Sequence, residues 1–280
     1  GNYTEHDIRE AARAFTGWEL RRGQPYFNRQ QHDPSPKTVF GKTDRFTGEQ
    51  IVDLCLEQPA APRFLARKLC RYFISETLEL TDELIAPLAD LLRRTDFDIG
   101  QAVALILRSN LFFSTHAYRA KVKSPVSFLL GILRGLEARV GTVGVAQLAE
   151  NLGQKLFYPP SVKGWDGGGA WLNATTLLLR HNAALALTST EDIRFGRRCD
   201  PWALARRCQV PDDDQAQVHF LLKLFLDDDV PPQTRAELLN YARQARQQDY
   251  PVYWTPDDRE AHRLRTLCYL VLTQPEFQLE

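Results

Sequence analysis

Apolar residues in this chain recur at three- and four-residue spacing, and most such runs open on a residue able to cap a helix. In residues 62–74, Leu65, Leu69, Tyr72 and Phe73 fall on one face, while Arg63, Arg67 and Arg71 line up on another. Leu84, Ile85, Leu88, Leu91 and Leu92 repeat the pattern, with Pro87 predicting a late start or a kink. Thr4 and Asp7 form a capping-box signal ahead of Ile8, Ala11, Ala12 and Phe15. Asp98 reads as the N-cap of a helix over 99–108, and Ser124-Pro125 as N-cap and first residue of one over 125–139. Further helices are expected at 145–151, 174–187, 215–226, 234–247 and 258–273.

No strand pattern recurs between these runs. The periodicity does vanish over 18–46, where Gly23, Pro25, Asp33-Pro34 and Pro36 punctuate two short candidate strands at 26–29 and 37–40. The expected fold is therefore mainly α, a multi-helical array with a small β-hairpin insertion near the N-terminus. A polar stretch over 188–211 predicts a linker, dividing a main helical domain at 1–188 from a C-terminal helical subdomain at 189–280.

Composition narrows the function classes. The 280 residues are 44% hydrophobic and 25% charged, as in an ordinary globular protein, which excludes disorder, collagen and coiled coil. No apolar run approaches the ~18 residues that cross a bilayer. Lys plus Arg and Asp plus Glu are 35 each, so no overall positive field draws the chain to nucleic acid. Five cysteines without a CxxC pair signal neither a zinc ribbon nor a disulfide framework, and Cys55, Cys70 and Cys268 sit in apolar surroundings. Cys199 and Cys208 are the one pair considered for a bridge. The histidines show no metal-ligand spacing, so no metal or cofactor is expected. With no methionine and a start at Gly1-Asn2-Tyr3, the chain reads as a segment of something longer, and its lack of a leader says nothing of compartment.

Four features are candidate sites. In 158–173, prolines, glycines and two tryptophans lead into a helix that Asn173 would cap. Such a loop can build a concave surface, with Trp165 and Trp171 free to stack on a sugar ring or peptide. The plainer reading is an unusual turn burying both tryptophans. The spacing fits neither a P-loop nor a dinucleotide fingerprint. The second region, His32-Asp33-Pro34, places imidazole beside carboxylate, which suits acid–base chemistry but equally a common turn. If Asp33, Asp166 and His32 converge, two carboxylates in a cleft would suit glycoside hydrolysis. Third, Arg180 interrupts an apolar helix and must be paired if buried, to a carboxylate or to carbonyls of the Gly-Trp loop. Charge is uneven as well: residues 108–163 hold eight Lys or Arg against two acids, and 211–230 six Asp against one Lys. Arg119, Lys121 and Lys123 are thus a candidate anion-facing strip, although the two segments can equally attract each other.

Several blocks carry a family resemblance. They are Tyr3-Thr4-Glu5 through Asp7 and Glu10 to Ala12-Arg13-Ala14-Phe15-Thr16-Gly17-Trp18, then His32-Asp33 with Lys37-Thr38 and Gly41. Pro59-Ala60 with Arg63-Phe64 and Lys68-Leu69, Lys123-Ser124-Pro125, and Pro159-Pro160 with Gly164-Trp165 and Gly167-Gly168 continue the pattern. Trp171-Leu172-Asn173 and Pro275-Glu276-Phe277-Gln278 complete it. In these blocks the chain resembles the bacterial family called domain of unknown function 1800, and specifically the C-terminal part of its longer members. The resemblance implies one shared fold and an extracytoplasmic home, because members are often exported proteins of environmental bacteria, planctomycetes among them, commonly encoded beside a second exported family. It implies no activity, cofactor or catalytic residue.

The expectation from these readings is a non-catalytic extracytoplasmic protein that binds a partner protein or a glycan through the hairpin insertion and the Gly-Trp loop. The alternative is a hydrolase, acting on polysaccharide, with Asp33 and Asp166 as its paired acids. Both place the two regions around one recess. The letters leave oligomeric state open.

Overall fold

The computed structural model describes residues 3–189, 192, 194–195 and 199–280. Among them are twelve α-helices and two small antiparallel hairpins, so the fold is mainly α. No helix among the described residues is long and apolar enough to cross a membrane. The chain falls into two compact units, residues 1–116 and 117–280. The stretch expected to be a linker lies inside the second of these and carries a helix, α9 (Pro201–Arg207); part of that stretch lies outside the described residues.

In the first unit, α1 (Glu5–Ala14) opens on the expected capping box, Thr4 accepting from the Asp7 amide and Asp7 from that of Thr4. The insertion holds two hairpins where one was expected. β1 (Trp18–Arg21) pairs with β2 (Gln24–Phe27), and β3 (Lys37–Val39) with β4 (Lys42–Asp44). The two expected strands therefore pair with near neighbours and not with each other. The cause is turn chemistry: Arg22-Gly23 and Phe40-Gly41 both have positive φ at each position, the two-residue loop whose twist matches a hairpin.

The edge of β3 is closed by α1. The amide of Thr38 donates to Glu10 and that of Phe40 to Asp7, so α1's carboxylates satisfy groups that a bare edge would leave open. Val39 and Ala14 are buried with Phe46, Ile51 and Leu54, the last two from α2 (Gly48–Glu57). Then α3 (Ala60–Phe73), α4 (Asp82–Arg94) and α5 (Ile99–Leu107) pack together. Pro87 lies inside α4, which starts at Asp82 on the Thr81 cap. Of the arginine stripe, Arg63 and Arg67 meet Asp82 on an exposed face.

In the second unit, α6 (Pro125–Gly135), α7 (Thr142–Asn151), α8 (Ala174–Thr188), α10 (Asp214–Leu226), α11 (Pro232–Gln247) and α12 (Pro256–Leu272) join α9 around one core. α12 is its centre, burying Leu264, Leu267, Cys268, Val271 and Leu272 against α8 to α11. The chain then turns at Pro275–Gln278, packs Phe277 between Phe128 and Phe225, and pairs Leu279 with Val122. Cys199 and Cys208 are both free, so the bridge considered between them is not formed: Cys199 is buried in the core while Cys208 is exposed.

Candidate functional site

Just past the end of α7 stands Gly153, whose φ of +95° lets Gly153 and Gln154 donate back to the carbonyls of Glu150 and Ala149. Gln154 then accepts from the amide of Val126, closing the open first turn of α6. The loop that follows is pinned at both ends and turned outward between them. Phe157 sits at φ +60°, a conformation a bulky side chain rarely takes, and its ring is 98% exposed. Tyr158 is largely exposed and Val162 entirely so. Beyond them, Gly164 closes a tight turn on Ser161, and Gly167 and Gly168 carry positive φ into a short 3-10 turn, Gly168–Trp171.

The two tryptophans have different surroundings. Trp171 is buried, its ring lying over Gly153, and its carbonyl accepts from the Thr176 hydroxyl. Trp165 is half-buried and Asp166 beside it is exposed. Asn173 caps α8 in a capping box with Thr176, as its position predicts.

His32 and Asp33 belong to the first unit, and Asp166 to the second. Asp33 has structural partners at both oxygens: Arg13 Nε donates at 2.7 Å and the Ser35 amide at 2.9 Å. The Arg13 guanidinium holds its carboxyl far below the usual range, the wrong direction for a general acid. His32 Nδ1 meets the Thr16 carbonyl at 3.0 Å and its ring packs on Phe27. Lys37 is fully buried, donating to the carbonyls of Asp33 and Ser35, which fixes the same turn from below.

The strip of Arg119, Lys121 and Lys123 is engaged inside the second unit. Arg119 donates to the Leu226 carbonyl and lies 3.8 Å from Asp229, which links the basic segment to the acidic one. Lys121 faces Glu280, and Lys123 donates to the Phe277 carbonyl with its ammonium over the Phe277 ring. Arg180 is fully buried, but it meets neither a carboxylate nor the Gly-Trp loop: it donates to Gln278 and to the Lys123 carbonyl, and its Nε has no partner. Burial pushes its pKa down to about 10 and that of Lys123 to about 8. No group of side chains among the described residues has the makings of a metal site.

Beside the loop lies a feature that periodicity alone did not reveal. α6, α7 and Lys155–Leu156 line an open groove of about 1350 Å³, floored by Leu129, Leu133, Val145 and Ala149. Exposed Leu156 and Phe157, immediately ahead of the candidate stretch at 158–173, were missed, although they begin five consecutive apolar or proline residues, Leu156 to Pro160, that start three positions after Gly153.

No curated protein and no solved structure matches the chain. A family model, described as Protein of unknown function (DUF1800), matches residues 1–279, nearly the whole chain and not a part of it. The chain belongs to that family.

Proposed function

We propose that this chain is a binding protein and not a catalyst, capturing a partner protein or glycan in an extracytoplasmic setting. The outward loop carries the proposal: Phe157, Tyr158 and Val162 give up burial, and Phe157 accepts an unfavourable backbone as well. A backbone outlier of this kind costs on the order of 1–3 kcal/mol, and such residues cluster at functional sites. Trp165, half-buried behind the loop, adds a ring able to stack on a sugar or peptide.

The β1–β2 hairpin supports the same reading in the first unit. Its strands bury none of their residues, leaving Trp18, Leu20, Tyr26 and Phe27 in water. A lone two-stranded hairpin is marginal by itself. The hydrolase reading has no such support, because Asp33 is committed to Arg13 and Ser35.

A benzophenone amino acid at position 157, irradiated in extract of the native cell envelope, should give a discrete adduct absent from a control at exposed Val52. A glycan array read with wild type and Trp165→Ala covers the sugar arm. Adducts identical at both positions, together with no glycan signal sensitive to Trp165, would remove the proposal.

A further inference from the structure

We propose that the groove between α6 and α7 receives one amphipathic α-helix of a partner protein, with acidic residues flanking its apolar stripe. This rests on the reading of the chain as a binding protein but uses a surface separate from Phe157. On α6, Val126, Leu129, Leu130 and Leu133 face the groove at i, i+3, i+4 and i+7, the spacing by which helices normally cover one another. Leu129 and Leu133 are buried at the floor, while Leu130 is partly exposed and Val143 of α7 is 83% exposed. The wall of the groove is thus apolar surface that no described residue of the second unit covers.

Size argues for a helix. The groove of about 1350 Å³ exceeds the roughly 300–1,000 Å³ of ordinary small-molecule sites. α6 runs 11 residues, which at 1.5 Å per residue is about 16 Å, room for three turns of a partner alongside. An acyl chain in so open a groove would leave one side in water, whereas an amphipathic helix needs only one face covered.

Charge selects which helix. Around the groove Glu137 is paired with Arg207 at 2.5 Å and Glu150 with Lys155 at 2.9 Å. Arg134 and Arg139, both exposed, line the groove with no ion-pair partner among the described residues. An acidic flank would meet them. A second copy of this chain seated by two-fold symmetry on the same face would set these arginines against their own copies.

The test uses two fluorescein-labelled, helix-stabilised 15-residue peptides sharing one leucine stripe, flanked by glutamates in one and lysines in the other. Fluorescence anisotropy with the whole chain at low ionic strength should give at least tenfold tighter binding of the glutamate peptide. The R134E/R139E double variant should reverse that preference, and Val143→Asp should weaken both peptides. All three changes are at exposed positions, and unchanged thermal melts would verify folding. Equal affinity for the two peptides, binding indifferent to Val143→Asp, displacement of both peptides by oleate at stoichiometric concentration, or a self-association that Val143→Asp abolishes would each overturn the proposal. Phe157→Ser should leave peptide binding intact, so loss of the position-157 adduct sinks the loop reading alone, and loss of peptide selectivity sinks this one alone.

Discussion

Arg180 Nη2 donates to the main-chain carbonyl of Lys123 at 2.6 Å, tying a fully buried guanidinium to the backbone of a half-buried lysine. The guanidinium also reaches Gln278 and lies over the Phe128 ring, so it fastens α8 to the returning C-terminal segment through carbonyl and amide oxygens and a ring face. Arg180→Ala would strand those acceptors and open a cavity, at a cost of about 3 kcal/mol in urea-unfolding free energy. Arg180→Lys should recover little, since an ammonium cannot span both acceptors. Full stability in the lysine variant would show that charge alone is what this position supplies.

Lys123 adds a pH dependence. Its pKa is pushed down to about 8, chiefly by burial, from 10.5 for a free lysine. Between these values the unfolded chain holds the proton more tightly, so the residue's contribution to stability improves as pH rises through 8 and levels off near 10.5. Below 8 the penalty is constant. The full shift would correspond to on the order of 3 kcal/mol, and partial exposure reduces this to about 1–2 kcal/mol. Relative to Lys123→Met, the wild type should therefore gain stability from pH 7 to pH 10 in paired denaturation curves. A difference independent of pH would contradict the burial of the ammonium.

The helices were legible because their signals are local. Thr4 with Asp7, Asp98, Ser124-Pro125 and Asn173 act as the caps their positions suggest. α2 was missed despite Thr47 and Gln50, a full capping box ahead of Ile51 and Leu54, because it follows directly on the irregular insertion. The pairing of the strands hinged on two Xaa-Gly turns within a stretch crowded with prolines. Site residues were harder to read for a different reason: a residue type says what a side chain can bond, not what it does bond. Asp33 had the letters of an acid catalyst, but Arg13, twenty residues earlier in the chain, takes it. Exposure of Phe157 and Val162 is a property of packing, which no spacing rule reports.

Gly17 and Gly23 separate two costs of substitution. Both have positive φ, +92° and +77°, so a Cβ is strained at either. At Gly17 it would also fall 2.8 Å from the Asn28 carbonyl oxygen, whereas at Gly23 nothing lies within 4 Å. Gly23→Ala should cost about 1 kcal/mol and Gly17→Ala about 2–3 kcal/mol, because the clash adds to the strain. Thermal or urea unfolding of the two variants reads the difference directly. Equal losses would mean the backbone at Asn28 moves aside freely.

Phe157 offers the opposite experiment, a substitution that improves the fold while removing its use. The ring is 98% exposed and buries almost nothing, and φ is +60°. Glycine relieves that conformation, offset by its greater freedom in the unfolded chain, so Phe157→Gly should be neutral or stabilising by up to about 1 kcal/mol. Trp171→Ala, which empties a buried site beside Gly153, should instead cost about 3–5 kcal/mol. The pairing of results carries the meaning. A loop kept for binding predicts that the glycine variant melts no lower than wild type yet loses capture by a neighbouring cross-linker at position 158. A variant that loses several degrees would instead place Phe157 among the residues holding the fold.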